Sequence, residues 1–156
     1  MTDSVDRYIE EVALFYEDLG LPRIAGRILA LLLVCDPPSR TAAELTEELG
    51  ASKASVSQMT RLLITLGFIE RFGVRGSRAA HFRVRDDGFE AMFTQQIAAL
   101  TALGPMAERG VALVGAGAGA DRLRKLRALL RFFEEAMPEM LARWRVERDA
   151  RIADEA

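Results

Sequence analysis

Apolar residues recur with a helical period over most of the chain. Val5, Ile9, Val12, Tyr16 and Leu19 step by 4, 3, 4 and 3 positions, which sets them on one stripe of a helix with acidic side chains on its other faces. The stripe ends at Gly20. Pro22 suits a first helical turn, and Ile24, Ile28, Leu31 and Leu32 carry a second helix to the stop at Asp36, Pro37 and Pro38. Thr41 followed by Glu44 makes a capping-box pattern that opens a short helix bearing Leu45 and Leu49 and closing at Gly50. Ser52 then caps a further helix that runs to about Leu66, before Gly67.

The period changes after Gly67. Phe68 to Val74 and Ala79 to Arg85 are rich in aromatic and β-branched residues and flank the turn-like stretch Arg75 to Arg78, a pattern that predicts a two-stranded hairpin. Asp86 can cap another helix, through Phe89, Phe93, Ile97 and Leu100, interrupted at Gly104 and Pro105. The last segment is the most regular: Leu123, Leu126, Leu130, Phe133, Met137, Met140 and Trp144 step by 3, 4, 3, 4, 3 and 4, a heptad seam in which Pro138 should introduce a local kink.

Helix, short helix, tight turn, second helix and hairpin, in that order, make a winged helix-turn-helix. The expected fold is mainly α with a small β-hairpin wing, a winged helix-turn-helix flanked by N- and C-terminal helices. Its parts are an N-terminal helix over residues 1–20, a winged DNA-binding domain over 21–85 and a C-terminal helical region over 86–156.

Charge sharpens this division. The chain has 156 residues and a net charge of −2, but residues 1–20 carry one basic and six acidic side chains, residues 21–85 ten and five, and residues 86–156 ten and twelve. A local positive field, not the global sum, is what attracts a polyanion. One cysteine, Cys35, excludes an internal disulfide, and one histidine, His81, leaves no zinc-spaced cluster. No metal or cofactor is expected. The longest uninterrupted apolar run, Ile28 to Cys35, is far shorter than a membrane helix needs, and the acidic first 20 residues lack a signal-peptide core, so a cytoplasmic protein without membrane contact is expected.

Rotation at about 100° per residue sorts the helix after Ser52 into two faces. Val56, Met59, Leu63 and Leu66 fall on one side; Ala54, Ser57, Gln58, Arg61 and Thr65 fall opposite, with Lys53 at the N-terminal edge. Ser and Gln can report on base edges, Ala fits a thymine methyl, and Arg can bind guanine or hold a phosphate. The first-turn amides from Ser52 to Ser55 suit a backbone phosphate. In the hairpin, Arg71, Arg75, Arg78, Arg83 and Arg85 accompany a single acid, Glu70, and a tip bearing Arg75 and Arg78 suits a minor groove. The DNA-binding set is therefore Ser52, Lys53, Ala54, Ser55, Ser57, Gln58, Arg61, Arg75 and Arg78, and the partner is double-stranded DNA. His81 is expected to pack on a strand face and Cys35 to be an inert thiol at a helix end.

The stretches LPRIAGRILALLLVCDPP, TAAELTEELGASKASVSQMTRLLITLGFIER and GADRLRKLRALLRFFEEAMPEMLARWR resemble the glycine-betaine-synthesis-regulator branch of MarR-type transcriptional regulators. The resemblance implies a homodimer joined by its terminal helices, usually a repressor and sometimes released by a small-molecule effector. It places the recognition helix at Ser52 to Leu66 and the wing-tip arginine at Arg78, with Ser77 where such wings commonly carry an aspartate. Tyr8, Tyr16, Phe89 and Trp144 are candidates for an aromatic effector cage, against the plainer reading that they are core.

Two other classes compete. A winged helix can serve as a protein-binding module, but its contact face should then be apolar or acidic. Gly115, Gly117 and Gly119 after an apolar run suggest a dinucleotide-binding turn, which needs a following helix, then a second parallel strand and an acidic residue about 20 residues on to hold a ribose. Only the heptad segment follows, so the glycines are expected to be a joint between two helices.

Overall fold

The computed structural model describes residues 3–76 and 78–155. Seven helices and a small sheet follow one another among them: α1 (Asp3–Asp18), α2 (Arg23–Val34), β1 (Arg40–Thr41), α3 (Ala42–Glu48), α4 (Lys53–Thr65), β2 (Ile69–Gly73), β3 (Ala80–Val84), α5 (Gly88–Thr101), α6 (Gly104–Val114) and α7 (Ala118–Asp154). The chain divides into two compact units, Met1–Met92 and Phe93–Ala156, with the boundary inside α5.

In the first unit α2 is the central post. Ala25, Gly26, Ile28, Leu29, Ala30, Leu31 and Leu32 are all buried, as a helix apolar around most of its girth must be. Ile9 and Ala13 of α1, Leu45 of α3, Val56, Met59 and Leu63 of α4, Ile69 of β2 and Phe82 of β3 share its core with Leu49 and Phe68. The close approach of α1 to α2 depends on Gly26, where a Cβ would lie 2.8 Å from the Ala13 Cα and 3.3 Å from the Tyr16 Cβ. Glu10 spans the same seam, with its carboxylate oxygens 2.7 Å from the Arg23 and 2.7 Å from the Arg27 guanidinium. Leu19, placed on the apolar stripe by its spacing, is 62% exposed, because α1 ends at Asp18 and the chain turns away through Gly20 at φ +89°.

The sheet is antiparallel, in the order β1-β3-β2. Its hairpin lies where the aromatic and β-branched runs predicted, Ile69 opposite Val84 and Gly73 opposite Ala80. The third strand is a correction. Arg40 pairs with Phe82 and Thr41 with His81, and a two-residue strand is too short to carry any period of its own. The helix after the hairpin also starts later than expected: α5 begins at Gly88, so Asp87, not Asp86, precedes it. Gly88 is tightly held there, since a Cβ would come within 2.7 Å of the Phe68 carbonyl oxygen.

In the second unit Gly104 and Pro105 do not merely interrupt the helix; they open α6, where proline's missing amide costs nothing. The residues Gly110 to Val114 close α6 as helix, so the strand that a dinucleotide turn needs is absent. Gly115 (φ +65°) and Gly117 (φ +115°) form the joint, in backbone conformations that favour glycine, and Ala118 starts α7. α6 and α7 meet closely at Gly110, where a Cβ would lie 2.9 Å from Leu123 Cδ1. α7 continues as helix through Pro138. Of its heptad seam only Leu130 is buried; Leu126 (37%), Met140 (57%) and Trp144 (40%) are exposed. Although no uninterrupted apolar run is long, the 27-residue span Gly88–Val114 contains an 18-residue window of mean hydropathy 1.3 and is by length and composition long enough to cross a membrane. Its charges are few, but Gly104 and Pro105 divide it between α5 and α6.

Candidate nucleic-acid interface

The two-helix unit is fixed at each end by local chemistry. Thr41 Oγ1 accepts from the Glu44 amide at 3.2 Å, while the Glu44 carboxylate accepts from the Thr41 amide at 2.6 Å, a complete capping box. Donation from the Thr41 amide, and from the Thr41 hydroxyl at 2.8 Å, holds the Glu44 carboxyl below its ordinary pKa of 4.5. Gly50, at φ +59°, makes the turn. Ser52 Oγ then accepts from the Ser55 amide at 3.1 Å and caps α4.

This cap alters the phosphate site expected at the start of α4. The Ser55 amide is already used, which leaves the amides of Lys53 and Ala54 as the first-turn donors without an intrahelical partner. The two faces of α4 fall as the rotation predicts. Val56, Met59 and Leu63 are buried; Ser52, Lys53, Ala54, Ser57, Gln58 and Arg61 are exposed, and Ser55 is half-buried. Thr60, a polar residue on the buried side, satisfies its hydroxyl on the Val56 carbonyl at 2.8 Å. Arg61 is folded along its own helix: its Nε donates to the Ser57 carbonyl at 3.1 Å and a terminal nitrogen donates to Ser57 Oγ at 3.2 Å.

The hairpin arginines are not equivalent. Arg83 meets Glu70 at 2.6 Å and lies 4.7 Å over the Phe72 ring. Arg85 makes two bonds of 2.9 Å to Asp87. Among the described residues Arg71, Arg75 and Arg78 are exposed and carry no acidic partner, so the uncompensated charge sits on one edge of β2 and at the turn. Ser77, the position where an aspartate would orient Arg78, lies outside the described residues. Composition gave five arginines against one acid in the hairpin; Asp87, just beyond it, is the acid that spacing did not assign.

A groove of about 450 Å³ joins these parts. α4 contributes Ser57, Arg61 and Ile64, β2 contributes Arg71, and Ala42 and Ala80 are among its small apolar walls. Sequence reasoning missed it because Arg71 and Ala42 are far apart in the chain and carry no shared pattern.

The remaining candidates are structural. Tyr16 packs edge-on to Phe68 and Phe68 edge-on to Phe89, at 5.8 and 5.7 Å between ring centres. Tyr16 is half-buried against the core and Phe89, at the end of the series, is 40% exposed; burial, with a smaller contribution from Tyr8, pushes the Tyr16 phenol up. Trp144 belongs to the second unit, where it lines a shallow surface of α7 with Arg143 and Glu147. Burial likewise raises the Cys35 thiol, against the opposing pull of Arg40, and its sulfur lies 3.8 Å from the Leu32 carbonyl. A raised thiol pKa leaves less of the nucleophilic thiolate. His81 stands on β3 with its ring 5.8 Å from that of Phe72.

Comparison with known proteins agrees with this arrangement. A family model for the MarR family matches residues 19–79, and a model for MmpR5-like MarR family transcriptional regulators matches residues 87–147. The HTH-type transcriptional regulator MmpR5 of Mycobacterium tuberculosis is 37% identical over 143 residues, 90% of this chain and 87% of that protein. The HTH-type transcriptional repressor OpcR of Bacillus subtilis is 28% identical over 89 residues, 57% of this chain and 48% of its own. A crystal structure of a transcriptional regulator superposes with a TM-score of 0.81 at 37% identity, covering 90% of this chain and 97% of that one.

Proposed function

This chain belongs to the MarR family of transcriptional regulators, which bind DNA, and from that premise we propose that it is a repressor acting as a homodimer on a pseudo-palindromic operator. The observation that carries the reading is the polar and basic outer face of α4 beside a wing whose tip charge is uncompensated. Ser52, Lys53, Ala54, Ser55, Ser57, Gln58 and Arg61 would enter the major groove or hold its edge, and Arg75 and Arg78 would reach the adjoining minor groove. That the similar OpcR is a repressor supports the sign of the regulation.

The homodimer reading rests on apolar surface. Among the described residues of the second unit only Ala107, Ala120 and Leu130 are buried, while Leu113 (86%), Val146 (85%) and Phe132 (61%) stand in solvent. Large apolar side chains so widely exposed are what a second copy would cover. On this reading residues 21–85 are the DNA-binding domain, residues 1–20 and 86–156 supply the dimer, and the apolar stretch of α5 and α6 is covered by a second copy in the cytoplasm. Two reading heads would then engage half-sites roughly 34 to 36 Å apart, and release by a small effector would be the regulated step.

A gel-shift of the folded dimer on the DNA upstream of its own gene tests the reading. A discrete complex that survives excess unrelated duplex is expected. Absence of any complex at low salt would refute DNA binding and favour a protein partner for the α4 face.

A further inference from the structure

We infer that Arg61 and Arg71 together clasp one backbone phosphate of the DNA, with Ser57 as the residue that positions Arg61, so that Arg61 fixes register and does not read a base. The inference rests on the DNA-binding reading and adds a site to it: Arg71 stands outside the recognition helix and outside the wing tip.

Three observations on the α4 groove carry it. First, the groove has two guanidiniums among its described lining residues and no carboxylate. Glu70, the acid next to Arg71 in sequence, is committed to Arg83 at 2.6 Å, so the positive charge of the groove is not compensated from within the sheet. Second, Arg61 is tied back along α4 by its bonds to the Ser57 carbonyl and hydroxyl. A guanidinium that reads a guanine bidentately must extend its full length outward from the helix. One held one turn back toward the helix N-terminus keeps its remaining N–H donors beside the groove, where the near neighbour of a bound duplex is the sugar-phosphate chain. Third, the walls at Ala42 and Ala80 are methyl groups, which let a chain approach closely and keep the local dielectric low, and both effects strengthen a charge-assisted bond to phosphate. Two planar donors converging on one tetrahedral anion is the arrangement that guanidinium geometry favours. The same anion chemistry in free phosphate would lack the neighbouring α4 and wing contacts, so the occupant is the phosphate of a duplex.

The test uses the full-length dimer, its selected operator and a scrambled duplex, with affinities measured by fluorescence anisotropy over a salt series. Arg71→Gln and Arg61→Gln should each weaken binding to the operator and the scrambled duplex alike, and the two together should lower the salt slope by about 0.9 for the one phosphate per half-site that is no longer neutralised. Neither should change base preference in a randomised operator pool. Ser57→Ala should weaken binding to the two duplexes equally and by less than Arg61→Gln does, and should have no further effect in the Arg61→Gln background. A scan of single methylphosphonate substitutions should find one position in each half-site where neutralising the phosphate weakens the parent protein, weakens Arg71→Gln and Arg61→Gln less, and leaves the double variant unchanged. Circular dichroism verifies that each variant is folded. An Arg61 variant that loses preference at a single base pair, or a scan in which every position is additive with both variants, overturns the inference and leaves the DNA-binding reading intact. A parent protein that binds neither duplex overturns both.

Discussion

Replacing Gly26 by alanine should destabilise the protein, although alanine is the better helix former. In a helix interior the exchange gains about 1 kcal/mol of propensity. Against it stands the seam between α1 and α2. The added Cβ would lie 2.8 Å from the Ala13 Cα, 3.2 Å from the Ala13 carbonyl oxygen and 3.3 Å from the Tyr16 Cβ. Carbon atoms prefer roughly 3.5 to 4.0 Å, and the first two of these neighbours are backbone, which no rotamer change can move. The helices must part by something under 1 Å, and a gap of about that size forfeits a quarter to a half of the dispersion well of each atom pair across it. Ile9 and Ala13 on one side and Ala25 and Leu29 on the other are fully packed, so the loss falls in the upper part of the roughly 1 to 3 kcal/mol range for overpacked cores. The net cost is about 1 to 2 kcal/mol, and Tm should fall by roughly 2 to 8 °C for a chain of this length. Scanning calorimetry at fixed protein concentration measures it, concentration being held because dimer formation would itself shift Tm. Gly119→Ala is the matched control: it lies in the first turn of α7, and its nearest neighbours would be at 3.9 and 4.0 Å, ordinary packing distances, so Tm should hold or rise. A Gly26→Ala protein at least as stable as the parent would refute the close-packing account.

Four further outcomes follow from the geometry. Thr41→Ala should cost about 1 kcal/mol by removing the hydroxyl of the capping box, read as a lower urea midpoint. Because Glu44's carboxyl is held below its ordinary value of 4.5, its contribution is full above that pH and is lost as pH falls through the lowered value; Glu44→Gln should flatten that part of the stability profile, and an unchanged profile would contradict the assignment. Arg78→Ala should reduce affinity for all duplexes alike and lower the salt slope by about one unit, whereas an unaltered slope would place the wing tip off the DNA. Phe132→Glu, which puts a charge on the exposed side of α7, should shift sedimentation toward monomer; a dimer of undiminished affinity would remove that face from the interface.

Much of this architecture was legible in the chain. The capping box at Thr41 and Glu44, the Ser52 cap, the glycines that end helices and the inner face of α4 are all local signals, set within one or two turns of backbone. The elements that escaped are those whose cause lies elsewhere. β1 exists because β3 offers it a hydrogen-bonding edge. Gly26 reads as a weak point in a helical run until α1 is laid across it. Leu19 continues a stripe by spacing but falls beyond the last turn. At the candidate interface the exposed residues of α4 could be assigned by rotation, while the folding-back of Arg61 on Ser57, the groove shared with Arg71 and the pairing of Arg85 with Asp87 depend on side-chain approach that no periodicity encodes.

The pairs Arg83–Glu70 and Arg85–Asp87 bear on how such a protein would search a genome. A regulator spends most of its time on sequences that are not its target, and residence there grows with every unpaired cation it lays against the duplex. By cancelling two arginines at the base of the hairpin, Glu70 and Asp87 keep general adhesion low while the cations further out remain available for the final grip. On the DNA-binding reading these two acids, which need touch no nucleotide, act as governors of search speed, and their removal would yield a tighter binder that finds its operator more slowly.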